Sequence, residues 1–221
     1  MMSRALDGVA ALCPACHRDV PGVDGVVLTT FVAHAGWIIL SDSGPNGDRL
    51  EDLHATLGEG PRTDVVTTGR LVTYADLTHA QAYTKWPRFA AQALASGIRA
   101  VFAFPVQLDA QPVGVLSVYR ATAGPLTDAD HHRVNRYAHT ASVLLHATAH
   151  LTSAGTASMP LPAKAGEVQQ AVGVVMQHTT VDAVTALHHL RACAHHSRQP
   201  MRDVVAEART GHLPCNPTTP A

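Results

Sequence analysis

The sequence predicts an α+β chain in two parts, a domain of strands and helices followed by a small all-α module. Three observations carry this. Apolar residues alternate through 100–107 and 113–120, and the pentapeptide Leu108-Asp109-Ala110-Gln111-Pro112 between them makes the pair a β-hairpin. A long amphipathic helical pattern starts at Thr127. Behind it, past a stretch of small residues and proline at 152–163, three short helical patterns fill 167–208.

Element by element, Leu6, Val9, Ala10, Cys13, Cys16 and Val20 recur near helical spacing, so residues 1–19 read as a helical segment, short or kinked because Pro14 lies inside it. Two β-rich runs, 26–32 and 37–40, precede the turn chemistry of Ser41-Asp42-Ser43-Gly44-Pro45-Asn46-Gly47. Asp48 suits the N-cap of a helix that runs to Leu57 and ends at Gly58. A short helix to Thr68 and a strand at 71–74 come next, and Trp86-Pro87-Arg88-Phe89 opens a helix that Gly97 closes. After the hairpin, Asp128 and Asp130 favour the first turn of the long helix through its dipole. The stripe of Val134, Tyr137, Ala138, Ala141, Leu144, Leu145 and Thr148 suits either packing on the domain's own sheet or a dimer seam. The last residues, 213–221, form a Pro/Thr tail expected to be disordered.

Composition sets the class. Hydrophobic residues make up 46% and charged residues 15% of 221, which is globular. No apolar run approaches the roughly 20 residues of a membrane span, and the start lacks the apolar core of a secretory signal. A cytoplasmic protein without membrane contact is expected. A formal charge of -1 excludes bulk charge as the basis for binding a polyanion. The 15 histidines would carry that charge to +14 if all were protonated, and they are expected chiefly on the surface of an arginine-rich, lysine-poor chain.

Cys13-Pro14-Ala15-Cys16-His17 matches the C-x-x-C-H pattern of c-type haem attachment. That attachment needs export to an oxidising compartment, and a zinc site would need two further ligands. The thiols are expected instead to line one face of the N-terminal helix, with no metal and no cofactor. The other cysteines, Cys193 and Cys215, lie far from them.

Residues 57–61 (Leu-Gly-Glu-Gly-Pro), Asp76-Leu77, Trp86–Phe89, Phe102-Ala103-Phe104-Pro105 and Gly114-Val115-Leu116 together resemble a GAF domain over 20–151. The resemblance implies a GAF-like antiparallel sheet flanked by helices and a small-molecule ligand over one sheet face. Alternation in Val101–Phe104 and Val113–Val118 supplies residues for both faces of such a sheet, and Gly114 would let a neighbouring element approach closely. Sulfoxide reduction and bilin attachment both need cysteine, and none lies between Cys16 and Cys193. Relatives often carry cysteine after the Gly-Glu-Gly-Pro turn, where this chain has Arg62. His54, Arg62, His79 and Arg99 are candidates for an anionic ligand, whose identity the sequence does not specify.

Three patterns at one spacing resemble the ANTAR domain over 164–212: Ala171-Val172-Gly173-Val174-Val175-Met176, then Ala183 with Ala186-Leu187-His188-His189-Leu190-Arg191-Ala192-Cys193-Ala194, then Pro200–Ala206. Ala171, Gly173 and Ala194 are small residues where helices would cross, Thr180 suits the N-cap of the second helix, and Pro200 the first turn of the third. The resemblance implies a three-helix module that binds paired stem-loops in nascent RNA and prevents termination. The candidate RNA contacts are Arg191, Arg198 and Arg202, with His188 and His195, and with His189 and His196 around them. Arginine pairs with phosphate and stacks on bases, and histidine stacks on loop bases. Residues 167–212 hold four arginines and four acids, so that stretch is formally neutral. That balance keeps a second reading open, a homodimerising protein-interaction sensor that no longer binds RNA. A nucleophile–base pair, a P-loop and a catalytic carboxylate pair are all missing, so no enzyme is expected.

Overall fold

The computed structural model describes residues 2–32, 36–153, 163–197, 199 and 201–211. Strands β1 (Gly25–Val32), β2 (Gly36–Ser43), β3 (Val72–Tyr74), β4 (Ala100–Leu108) and β5 (Gln111–Arg120) form an antiparallel sheet in the order β2-β1-β5-β4-β3. Its period-2 alternation sorts the side chains between two layers. Val26, Leu28, Phe102, Phe104, Val106, Leu116 and Val118 face helices α1 (Met2–Asp19) and α6 (Asp128–Ser153). Val27, Val101 and Tyr119 face the other way, onto α2 (Gly47–Leu57), α4 (Ala80–Lys85) and α5 (Pro87–Ala95). Ala103 and Val115 pack with Val65 of α3 (Pro61–Thr68). Gly114 sits where a Cβ would lie 2.5 Å from the Thr29 carbonyl oxygen, which is the close approach expected of it.

Three local expectations are corrected. Helix α1 runs 18 residues with Pro14 inside it, so it is not short. Proline lacks the amide that would bond the Ala10 carbonyl, and Ser41 Oγ donates to that carbonyl instead at 2.9 Å. The same segment explains the second correction: Ser41, Asp42 and Ser43 are not a turn but pair with Leu28, Val27 and Val26, extending β2 under α1. The hairpin loop shortens to Asp109 and Ala110, with φ of 47° and 66°. Such paired positive φ values match the twist of the flanking strands, and an Asp-Ala pair gives no glycine to announce them.

Helix α2 begins at Gly47 with Asn46 in the cap position, two residues ahead of the expected Asp48 cap, and Gly58 closes it with φ 67°. Helix α6 opens on an N-cap in which Thr127 Oγ1 accepts from the Asp130 amide at 3.1 Å and donates to its carboxylate at 2.7 Å. Of its stripe, Val134, Ala138, Ala141 and Leu145 are buried, and Tyr137 and Leu144 pack partly against the same core. The stripe therefore serves its own domain, while Val143 beside it is exposed.

The C-terminal helices are α7 (Ala163–Thr179), α8 (Ala183–Ser197) and α9 (Met201–Arg209). They enclose a separate core of Ala171, Val172, Val175, Ala186, Leu190, Cys193, Ala194, Met201, Val204, Val205 and Ala208. Thr180 is not the cap of α8: its φ is 55°, and Asp182 Oδ1 accepts from the Thr185 amide at 2.7 Å in that role. Gly173 is not at a helix crossing either, since a Cβ there meets nothing within 4 Å. Pro200, most of the 152–163 linker and the tail lie outside the described residues.

Candidate nucleic-acid interface and a buried charge cluster

Helix α8 carries His188, Arg191 and His195 at i, i+3 and i+7, a spacing that places them on one side. His188 and His196 are exposed, whereas His189 and Arg191 are half-buried. Arg191 Nε is out of contact with water and has no hydrogen-bond partner among the described residues. Burial first, and the Arg62 guanidinium second, hold its pKa below the usual arginine value. Arg202 lies in the first turn of α9, and Arg198 falls outside the described residues. Arg209 has a structural role, because it binds Glu167 at 3.2 Å and Gln170 at 3.0 Å and so ties α9 to α7.

A second site lies in the first domain, where the sequence patterns around Gly60 and Trp86 turn out to form one device. Glu59 Oε1 accepts from the amides of Arg88 and Phe89, both at 2.7 Å, and so satisfies the open start of α5. Gly60, with φ 119°, brings its backbone so near that a Cβ would lie 2.8 Å from Phe89 and 2.9 Å from His54. Beyond this turn Arg62 enters α3 and reaches back to α2.

There Arg62 Nη1 donates to Glu51 Oε2, and its guanidinium lies 5.0 Å over the ring of Trp37. His54 stacks on Phe89 with ring centroids 4.7 Å apart. Glu51, His54 and Arg62 are 5%, 1% and 4% exposed. The Arg62 amide donates to His54 Nε2 at 3.3 Å, so that nitrogen is unprotonated and Nδ1 carries the hydrogen toward Glu51 Oε1, 3.6 Å away. Burial pushes the Glu51 carboxyl up, but the Arg62 guanidinium and His54 outweigh it and keep it below the usual carboxylate value. Burial holds His54 below the ordinary histidine value, so it folds neutral. The other two anion candidates are elsewhere: His79 and Arg99 both meet Asp76, at 4.0 and 3.3 Å.

A pH dependence follows. Because the folded pKa of His54 is depressed, the unfolded chain takes up a proton near pH 6.5 that the folded chain refuses. The His54 contribution is complete above the unfolded pKa and declines as pH falls below it, by at most about 1.4 kcal/mol per pH unit. Urea unfolding of wild type and His54→Gln across pH 7 to 5 is expected to show a shallower decline in the variant. Parallel curves would contradict the assignment.

The thiols of α1 are buried as expected on one helix face. Burial raises both Cys13 and Cys16 to about 12, so neither is a thiolate near neutrality. His17 Nδ1 is within 2.7 Å of Ser43 Oγ.

A sheet covered by helices on both faces, followed by three helices with a core of their own, gives the chain a two-part architecture. The chain belongs to the GAF domain family, whose model matches residues 23–146, and an ANTAR domain follows at 164–208. This is the architecture of an antitermination regulator, a sensory domain ahead of an RNA-binding antiterminator module. Both are regulatory domain types. Among solved structures, the GAF domain region of a membrane protein from Geobacter sulfurreducens is 14% identical with a TM-score of 0.53, covering 65% of this chain and 94% of that one. The GAF domain of a phosphoenolpyruvate-protein phosphotransferase from Acinetobacter is 13% identical with a TM-score of 0.52, covering 70% and 87%. A free methionine-R-sulfoxide reductase from Neisseria meningitidis is 14% identical with a TM-score of 0.51, covering 66% and 81%. These likenesses establish the fold. No curated protein matches the chain. No helix among the described residues is long and apolar enough to cross a membrane.

Proposed function

We propose that this protein is a cytoplasmic regulator that binds paired stem-loops in nascent RNA through α7–α9 and controls transcription termination in response to a signal at its GAF domain. The observation that carries this reading is the ANTAR match over a three-helix module with its own buried core. On it, His188, Arg191 and His195 share one side of α8, and Arg202 opens α9. Arginines at that position neutralise phosphates, and the histidines stack on unpaired loop bases. The protein acts as a homodimer, so that two modules meet two stem-loops, with the GAF domain taking a small-molecule ligand.

The test is a gel shift against a tandem stem-loop RNA, titrated with salt, beside an Arg191→Ala/Arg202→Ala double variant. Binding should weaken with salt and be at least 10-fold weaker in the variant, as expected for about 1.4 kcal/mol or more of lost contacts. The formal neutrality of 167–212 favours one rival, the protein-interaction sensor. Dimers that bind no RNA at low salt would establish that rival.

A further inference from the structure

Three histidines stand on one exposed strip of α6. His132, His139 and His146 recur every seven residues, and all three are exposed. They lie on the side opposite Val134, Ala138, Ala141 and Leu145, which hold the helix to its sheet. Seven residues of helix rise about 10.5 Å, so no two of these imidazoles reach one ion. Among the described residues no three metal-binding side chains gather within the chain either. Each imidazole still offers a ring nitrogen suited to zinc, which takes four ligands. What the row lacks is a second set of ligands facing it.

An evenly spaced row finds that set on a second copy of itself. Two α6 helices related by a two-fold axis and running antiparallel place His139 against the partner's His139, and His132 against the partner's His146. Charge selects this direction. Along the strip Asn135, Arg136 and Val143 accompany the histidines, and only Arg136 carries a permanent charge. A parallel copy sets Arg136 against its own equivalent, whereas an antiparallel copy moves the two about 9 Å apart along the axis. The same arrangement covers Val143, which is 56% exposed. Contact alone is too small to hold the pair. A strip about 21 Å long and about 10 Å wide buries roughly 400 Å² over two copies, against about 1,600 Å² for a standard interface.

We infer that α6 carries half of a zinc clasp, in which His132, His139 and His146 of two copies hold ions between them and water completes each tetrahedron. The inference rests on the homodimer of the reading above and does not depend on RNA. Imidazole donors with no carboxylate among them select zinc over magnesium or calcium. The ions supply the attraction that the small contact area does not.

The experiment measures the mass of the full chain by light scattering behind a sizing column, after EDTA treatment and desalting, with and without Zn²⁺. Zinc should lower the dimer dissociation constant of wild type at least about 10-fold, since the ions bind only the paired state. His132→Gln/His139→Gln/His146→Gln changes three exposed positions, so its thermal melt should match wild type while the zinc effect disappears. Val143→Arg keeps every zinc ligand but adds a like charge to the seam, and should weaken the zinc dimer several-fold. Equal dimerisation with and without zinc overturns the clasp and leaves the homodimer standing. A monomer under every condition overturns both. Zinc-driven dimers of the triple variant place the ions elsewhere, on exposed residues such as His188 and His196 of α8, and overturn the assignment to α6. A zinc dimer indifferent to Val143→Arg overturns the seam.

Discussion

Arg62→Ala is expected to destabilise the sensor domain by about 3–5 kcal/mol, because it strands a buried carboxylate without its cation. Glu51 is 5% exposed on the inner side of α2, so water cannot replace the guanidinium. The same substitution removes the cation from the face of Trp37 and takes away the side chain that joins α3 to α2. Urea denaturation monitored through the two tryptophans reads the loss directly. A double variant, Glu51→Gln/Arg62→Met, should recover most of it, since a neutral pair of similar volume leaves no stranded charge. A loss under 1 kcal/mol in the single variant would mean that Glu51 is solvated or protonated in the folded protein.

Phe89→Ala is expected to cost a comparable amount, about 3–5 kcal/mol, for a different reason. Phe89 is fully buried, stacks on His54 at 4.7 Å and meets Trp86 edge-on at 6.0 Å. Removing the ring opens a cavity between α2 and α5 and also unseats the imidazole. The two effects separate in a second measurement: Phe89→Leu refills much of the space without an aromatic face. Stability should return in part with Leu, measured again by urea unfolding. Equal losses for Ala and Leu would show that the stacking, rather than the packed volume, dominates.

The sensor fold was legible where apolar residues alternate over a long run. The β4–β5 hairpin and the α6 stripe both announce themselves by period, and their burial follows it. Legibility failed where a distant residue overrides a local signal. Nothing near Pro14 indicates that Ser41 will satisfy the Ala10 carbonyl, and nothing in Ser41-Asp42-Ser43 shows that α1 will hold those polar residues in a strand. Helix α4 gave no signal because it has six residues and buries only Ala82. Thr180 and Asp182 are both cap-forming residues two positions apart, and only the backbone geometry distinguishes them.

The sites divide in the same way. The sequence singled out His54 and Arg62 together with His79 and Arg99, but could not pair them. The structure joins the first two to Glu51, an acid that only its i, i+3 relation to His54 and its place before the Gly-Glu-Gly-Pro turn could have suggested. On the effector side, the positions of His188, Arg191 and His195 on α8 follow from helical spacing. The partial burial of Arg191 does not, because helical spacing carries no information about what packs on that side of α8.

The central claim, control of termination through RNA, is tested most directly by single-round transcription across a terminator preceded by tandem stem-loops, with the purified full chain added. Read-through should rise with protein concentration and should not rise with the Arg191→Ala/Arg202→Ala variant. Read-through that is unchanged by wild-type protein, at concentrations where the same RNA is bound, would contradict it.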